Sequence, residues 1–335
     1  MTKFLYYGAW PRRIDLSKVK NYFVIGIVFL VAIITGVAIG SVYVDGLVPT
    51  VDTSGLSEAS LRDDENEIAK LYEDAVSGRR TSFSAVELYQ IGEYKLKNTD
   101  RYVKILSGSV ESLFGITQNM KAIKTSTEDG IYYLKMSPAK MDMAPSMAVK
   151  QRYEYDNPNE IYLNETRDKN DIKGNTVDEY YVDLDESTAK TLTLDEYKSF
   201  FNTEPTTPLT YIVSDLTTQE GTYDKDVTLN SDNQYVFNIK MTGEYATYAA
   251  FYYSYEIRHF SGDIPTTPPK QSELPSWKSV EMTVTMDSDF NILSIHYLES
   301  YNIDTSILAN APVNDDFDDV FYYDEATIQE CLAML

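Results

Sequence analysis

The longest apolar run lies near the start of the chain. Residues Tyr22 to Val44 (YFVIGIVFLVAIITGVAIGSVYV) make 23 consecutive positions without a charge. A helix rises about 1.5 Å per residue, so this run is long enough for a hydrocarbon core of about 30 Å. The pattern predicts a transmembrane helix over 22–44. A buried core helix is the bland alternative, but an uncharged run of this length behind a basic segment is foreign to soluble cores. A cleaved signal peptide is the stronger rival. Its apolar region spans about 7–15 residues and ends in a small-x-small site. This run is longer and ends in Val42-Tyr43-Val44, so it reads as an uncleaved anchor.

Beyond a Gly-, Pro-, Ser- and Thr-bearing linker over 45–59, the apolar spacing becomes helical. Leu61, Ile68, Leu71, Tyr72, Ala75 and Val76 predict one helix, with Gly78 at its end. Ser84-x-x-Glu87 is a capping box opening a second, with Val86, Leu88, Tyr89, Ile91 and Leu96 as its apolar positions. Period-two strand patterns then dominate. They predict strands over Tyr102–Val110 and Ile116–Lys124, a turn over Thr125–Gly130 and a return over Ile131–Met136. Further strands are expected at Val149–Tyr155, Glu160–Leu163 and Val177–Leu184. Thr193-x-x-Glu196 caps a short helix to about Phe201. Thr222–Leu229 and Tyr235–Met241 form a hairpin across Asn230–Asn233.

Tyr245, Tyr248, Ala249, Tyr252, Tyr255, Glu256 and His259 fall at helical spacing between Gly243 and Gly262, so that aromatic stretch is read as a helix. After a loop bearing Pro265, Pro268, Pro269 and Pro275, Trp277–Met286 and Asn291–Tyr301 predict a long hairpin. The stretch 304–335 carries Asp315, Asp316, Asp318 and Asp319 and is read as an acidic surface tail. Nothing divides the exterior part. The expected fold class is α+β: an N-terminal transmembrane helix, then one domain over 60–335 in which a mostly antiparallel, half-barrel-like sheet packs with several helices.

Charge sets the orientation. The first 44 residues carry five basic and one acidic side chain, a net +4, and the remainder carries 24 basic and 51 acidic, a net −27. Basic residues before the apolar run put segment 1–21 in the cytoplasm and the C-terminal domain outside the cell membrane, a single-pass arrangement. So acidic a chain repels nucleic-acid phosphate. It also disfavours anionic head groups and wall polymers unless divalent cations bridge them. One cysteine, Cys331, excludes an internal disulfide and a thiolate zinc site. Tyr, at 28 copies, favours pleated, half-buried surfaces.

Candidate chemistry is sparse. No GxSxG, HExxH, P-loop or dinucleotide fingerprint occurs. His259 sits near an expected helix end, where a cation suits the dipole. His296 shares a strand face with Ser294 and Leu298 and reads as a surface or packing residue. Asp287-x-Asp289-x-Asn291 begins like a calcium loop, but Ile292 and Leu298 stand where an EF-hand needs Gly and Glu, so a side-chain-stabilised turn is expected. Met136, Met141, Met143 and Met147 are the weak ligand-binding candidates. Thioethers hold copper(I), yet Met also lines adaptable apolar surface, and no Cys or His accompanies them. Gly36 and Gly40 form a GxxxG that lets two membrane helices approach, a candidate homodimer contact. No cofactor and no metal site is implied.

The order of two helices, long meander, helix, Pro loop and a final hairpin ending in SVEMTVTMDSDFNILSIHYLESYNI resembles uncharacterised membrane-anchored ectodomains of Gram-positive bacteria. Those are loosely similar to the bacterial lipoprotein-carrier half-barrel superfamily. The resemblance covers roughly residues 83–303. This chain lacks the lipobox cysteine of the lipoprotein members, and an apolar helix replaces the free state of the soluble carriers. What the resemblance implies is an incomplete β-barrel folded around helices, with an apolar hollow. The resulting expectation is a non-catalytic binding protein of the cell envelope, taking an apolar or envelope ligand. A structural or assembly factor acting through protein contacts is the alternative.

Overall fold

The computed structural model describes residues 58–112, 116–128, 130–136, 139–141, 144–157, 160–168, 190–196, 211–218, 227–250, 276–303 and 311–334. The membrane segment 22–44 with Gly36 and Gly40, the strand expected at 177–184, Met143 and His259 lie outside the described residues. Among the described residues, no helix is long and apolar enough to cross a membrane.

Helices α1 (Glu58–Leu61), α2 (Glu65–Val76) and α3 (Ala85–Lys97) lead. Asp64 caps α2, accepting the Asn66 amide at 2.8 Å, and Gly78 leaves the helix at φ +70°. The expected box caps α3: Ser84 Oγ accepts the Glu87 amide at 3.1 Å, and Glu87 Oε2 accepts the Ser84 amide at 2.9 Å. Helix α4 covers described residues 243–250, and α5 (Glu325–Leu332) closes the chain behind an Asp324 cap. A helical turn over 194–196 follows the Thr193–Glu196 box.

Among the described residues, twelve strands build one sheet: β1 (Tyr102–Ser112), β2 (Ile116–Thr127), β3 (Gly130–Met136), β4 (Ala139–Met141), β5 (Ala144–Asn157), β6 (Glu160–Asp168), β7 (Lys190–Leu192), β8 (Thr228–Leu229), β9 (Tyr235–Thr242), β10 (Ser276–Met286), β11 (Ile292–Ile303) and β12 (Ala311–Tyr322). Their order is β7-β6-β5-β3-β2-β1-β12-β11-β10-β9-β8, with β4 bridging β2 and β5, and every pairing is antiparallel. The α+β class with a large antiparallel sheet is therefore as expected. The turn over 125–130 is shorter than expected: Thr125, Ser126 and Thr127 stay in β2, and Thr127 pairs with Gly130.

The larger correction concerns the acidic tail. Residues 311–322 are not a surface appendage but the strand that joins β1 to β11 at the middle of the sheet. Strand alternation explains it. Ala311, Val313, Asp315, Phe317, Asp319 and Phe321 are buried on one face, while Asp316 and Asp318 are exposed on the other.

The buried face is the inner one. Leu106, Phe317, Tyr297, Ile295, Val280, Met282, Val284, Phe237 and Ile239 meet Leu88, Ile91 and Leu96 of α3 and Ala246, Ala249 and Ala250 of α4 in a single core. Fully burying each large aliphatic or aromatic side chain contributes roughly 1.5–3 kcal/mol. Two glycines permit close approach. A Cβ on Gly92 of α3 would lie 2.4 Å from Met286 Cε and 2.8 Å from Ile292 Cγ1. One on Gly108 of β1 would lie 2.1 Å from the Asp316 carbonyl oxygen. On the opposite face, α5 packs Ile328 and Cys331 on Val103 and Ile123, covering the β1–β2 region.

Candidate functional site

Over β9 to β12 and β1, the chain's own elements pack against the inner face among the described residues. Helices α3 and α4 and residues 211–218 fill it. Tyr89 of α3 donates to the Tyr211 carbonyl at 2.9 Å, and the Tyr211 ring lies 5.2 Å from that of Tyr297. Among the described residues, packed side chains stand over these strands where the resemblance implied an apolar hollow.

That filled face encloses a layer of ionisable groups. Glu299 accepts from Tyr211 Oη and, at 3.0 Å, from Trp277 Nε1. Directly across the strand pair, Asp315 accepts from Tyr301 Oη at 3.2 Å. Asp319 Oδ2 accepts from Tyr297 Oη at 2.8 Å and meets Lys104 Nζ at 2.8 Å. Burial pushes the Asp319 carboxyl above its usual range, against the opposing pull of Lys104 and Tyr297. Glu299 and Asp315 are thus facing carboxylates, but buried ones held by aromatic donors beneath helices. Such fully donor-supplied carboxylates fix strand register and core geometry.

The outer face over the same strands is open. Register places three polar rows across it. Lys240, Glu281, Leu298, Asp316 and Ser109 make the first, Asn238, Thr283, His296, Asp318 and Ser107 the second, and Thr242, Ser279, Ser300, Asn314 and Glu111 the third. None of these residues is buried. Two depressions, of about 400 Å³ and about 360 Å³, mark the surface and share Glu281 and Leu298. Thr283 Oγ1 donates to Asn238 Oδ1 at 2.7 Å, and Lys240 pairs with Glu281. His296 Nδ1 lies 2.9 Å from Asp318 Oδ1 and 3.7 Å from Asp316 Oδ1. Leu298 is 43 % exposed at the centre, an apolar contact ringed by hydroxyls, amides and carboxylates. Four acids against one lysine and one histidine suit a hydroxyl-rich or cationic ligand rather than an anion.

The sequence candidates distribute unevenly. His296 stands at the middle of this face, on the surface as expected. The Asp287 turn forms: its carboxylate accepts the Asp289 and Asn291 amides at 2.9 and 2.8 Å, and Asn291 Nδ2 at 2.8 Å. The four aspartates of 315–319 do not gather, because alternation sends two to each face. Met136, Met141 and Met147 lie in β3, β4 and β5, where Ala139 pairs with Met147 and Met141 with Ala144. Lys104, Lys124 and Glu299 are buried groups that sequence reasoning passed over. The signal for Glu299 was its phase with Ile295, Tyr297 and Tyr301. Among the described residues, no group of three or more His, Cys, Asp or Glu is arranged to hold a metal ion.

No protein-family model and no curated protein matches the chain. Among solved structures, the crystal structure of a beta-barrel-like protein of the domain of unknown function DUF1849 from Brucella abortus is similar at 9 % identity and a TM-score of 0.23, over 66 % of this chain and 98 % of its own.

Proposed function

We propose that this protein is a membrane-anchored, extracytoplasmic binding protein whose open sheet face takes a polar, hydroxyl-rich or cationic ligand of the cell envelope. One observation carries the reading of the face. Five adjacent strands have their inner side filled by the chain's own helices and their outer side left to solvent, laid with polar rows around the exposed Leu298. Packing needs only one side of a sheet covered, and the bare side is free to bind. The anchor and orientation rest on the apolar run 22–44 and the basic residues before it. The side chains on the face favour binding over catalysis: among the described residues, its donors and acceptors are spread in rows, without a nucleophile paired to a base.

The test uses the full-length protein in detergent. Its melting is followed against soluble wall polysaccharides, peptidoglycan fragments and polyamines, and separately against fatty acids and phospholipids. A ligand at 100 times its dissociation constant stabilises by about 2.7 kcal/mol. A polar ligand is expected to raise the melting temperature of the wild type and not of Leu298→Asp. Stabilisation by lipids alone would overturn the polar reading in favour of an apolar site elsewhere. If no ligand acts, and crosslinking in native membranes traps a stoichiometric protein through Leu298, the assembly-factor reading replaces it.

A further inference from the structure

We propose that Lys104 and Asp319 are the two halves of an intramolecular isopeptide bond, joining Nζ of β1 to Cγ of β12. The pair is enclosed. The side chains are 3 % and 0 % exposed, and Lys104 Nζ lies 2.8 Å from Asp319 Oδ2. Phe321, directly opposite Lys104 in the register, has its ring 5.9 Å from Nζ. Tyr297 Oη donates to the same Oδ2 at 2.8 Å.

The other oxygen is the telling atom. Asp319 Oδ1 is buried with no hydrogen-bond partner. A plain ion pair must bear that orphaned acceptor, and a buried carboxylate oxygen without a donor is costly. An amide has no such atom. Oδ1 is the one that leaves, and Oδ2 remains as the amide carbonyl, still accepting from Tyr297.

The step balances without a co-reactant. One proton passes from the Lys104 ammonium to Oδ1, giving a neutral amine beside a neutral acid, the form that a low-dielectric site favours. The Nζ lone pair attacks Cγ. The C–N bond forms, the Cγ–Oδ1 bond breaks, and Oδ1 departs as water with the first proton and a second from Nζ. The amide keeps one N–H. Contact between the reacting groups makes the condensation effectively unimolecular, and the dry surroundings oppose the reverse hydrolysis. The bond would tie the first long strand of the sheet to the last, in a chain whose single cysteine allows no internal disulfide.

Mass spectrometry of the denatured full-length protein tests this directly. The expected mass is one water below that of the sequence, with Lys104→Arg keeping the full mass. Trypsin is expected to spare the bond after Lys104 and to release a branched peptide carrying residues 104 and 319. A wild-type chain at its full mass, or a water loss mapped to any other position, overturns the proposal. That reading needs no variant to fold.

Discussion

The indole N–H of Trp277 donates to the Glu299 carboxylate at 3.0 Å, with both side chains buried between the sheet and the elements above it. The first prediction follows from that contact. Trp277→Phe takes one donor from a buried carboxylate and is expected to destabilise by about 1–3 kcal/mol from the hydrogen bond, beyond the lost packing. Glu299→Leu strips Tyr211 Oη and Trp277 Nε1 of this acceptor and is expected to cost at least as much. Urea denaturation reads both. A Glu299→Leu protein as stable as the wild type would show that the buried layer is not structural.

The two tight glycines separate propensity from packing. Gly92→Ala gains about 1 kcal/mol of helix propensity. It also drives a methyl to 2.8 Å from Ile292 Cγ1, and overpacking costs typically about 1–3 kcal/mol. The net expectation is a small loss. At Gly108 the obstacle is backbone, the Asp316 carbonyl at 2.1 Å, which cannot yield without parting β1 from β12. Gly108→Ala is therefore expected to lower the melting temperature far more than Gly92→Ala. The reverse order would contradict the packing described.

Alkaline stability is expected to depend on Tyr323. Its hydroxyl donates to the Ile292 carbonyl at 2.8 Å, and burial, with Tyr102 and Asp287 nearby, pushes the phenol well above its ordinary value. The folded state then holds a proton that the unfolded state releases at about pH 10. The Tyr323 contribution is complete below that pH and is lost progressively as pH rises from there toward the raised value of the folded state. Tyr323→Phe is expected to cost about 1 kcal/mol at neutral pH. The gap to the wild type should narrow at pH 11, as read from denaturation midpoints at both pH values. A gap that widens instead would mean that the folded state releases the Tyr323 proton more readily than the unfolded chain.

How much of this was legible follows from how local each signal is. The Ser84–Glu87 box, the Asp287 turn and the β10–β11 hairpin are written within a few residues, and each forms where its pattern stands. Glu299 was half-legible, since it keeps phase with Ile295, Tyr297 and Tyr301, yet a charge in a core phase reads as a misfit until Trp277 and Tyr211 supply its donors. The Lys104–Asp319 contact joins residues far apart in the chain, and no local pattern encodes it. The open face is likewise a product of strand order. His296 and Asp318 become neighbours only because β12 returns beside β11.

The sharpest consequence concerns the C-terminal stretch. Four aspartates within 315–319 invite its reading as a solvated tail, and a chain ending at residue 303 would then fold normally. Strand β12 instead pairs Leu106 with Asp319 on one side and Ile295 with Asp319 on the other, so it supplies the ladder that unites the two halves of the sheet. Removing it exposes Leu106, Tyr297 and Ile295 and leaves the backbone of β1 and β11 unpaired along facing edges, each an invitation to aggregate. A chain truncated after residue 303 is expected to show no cooperative melting and to bind a hydrophobic dye. Truncation after residue 323 removes only α5, uncovering Val103 and Ile123, and is expected to lower the melting temperature while leaving a cooperative transition. Cooperative, wild-type melting of the shorter chain would refute the central place of β12.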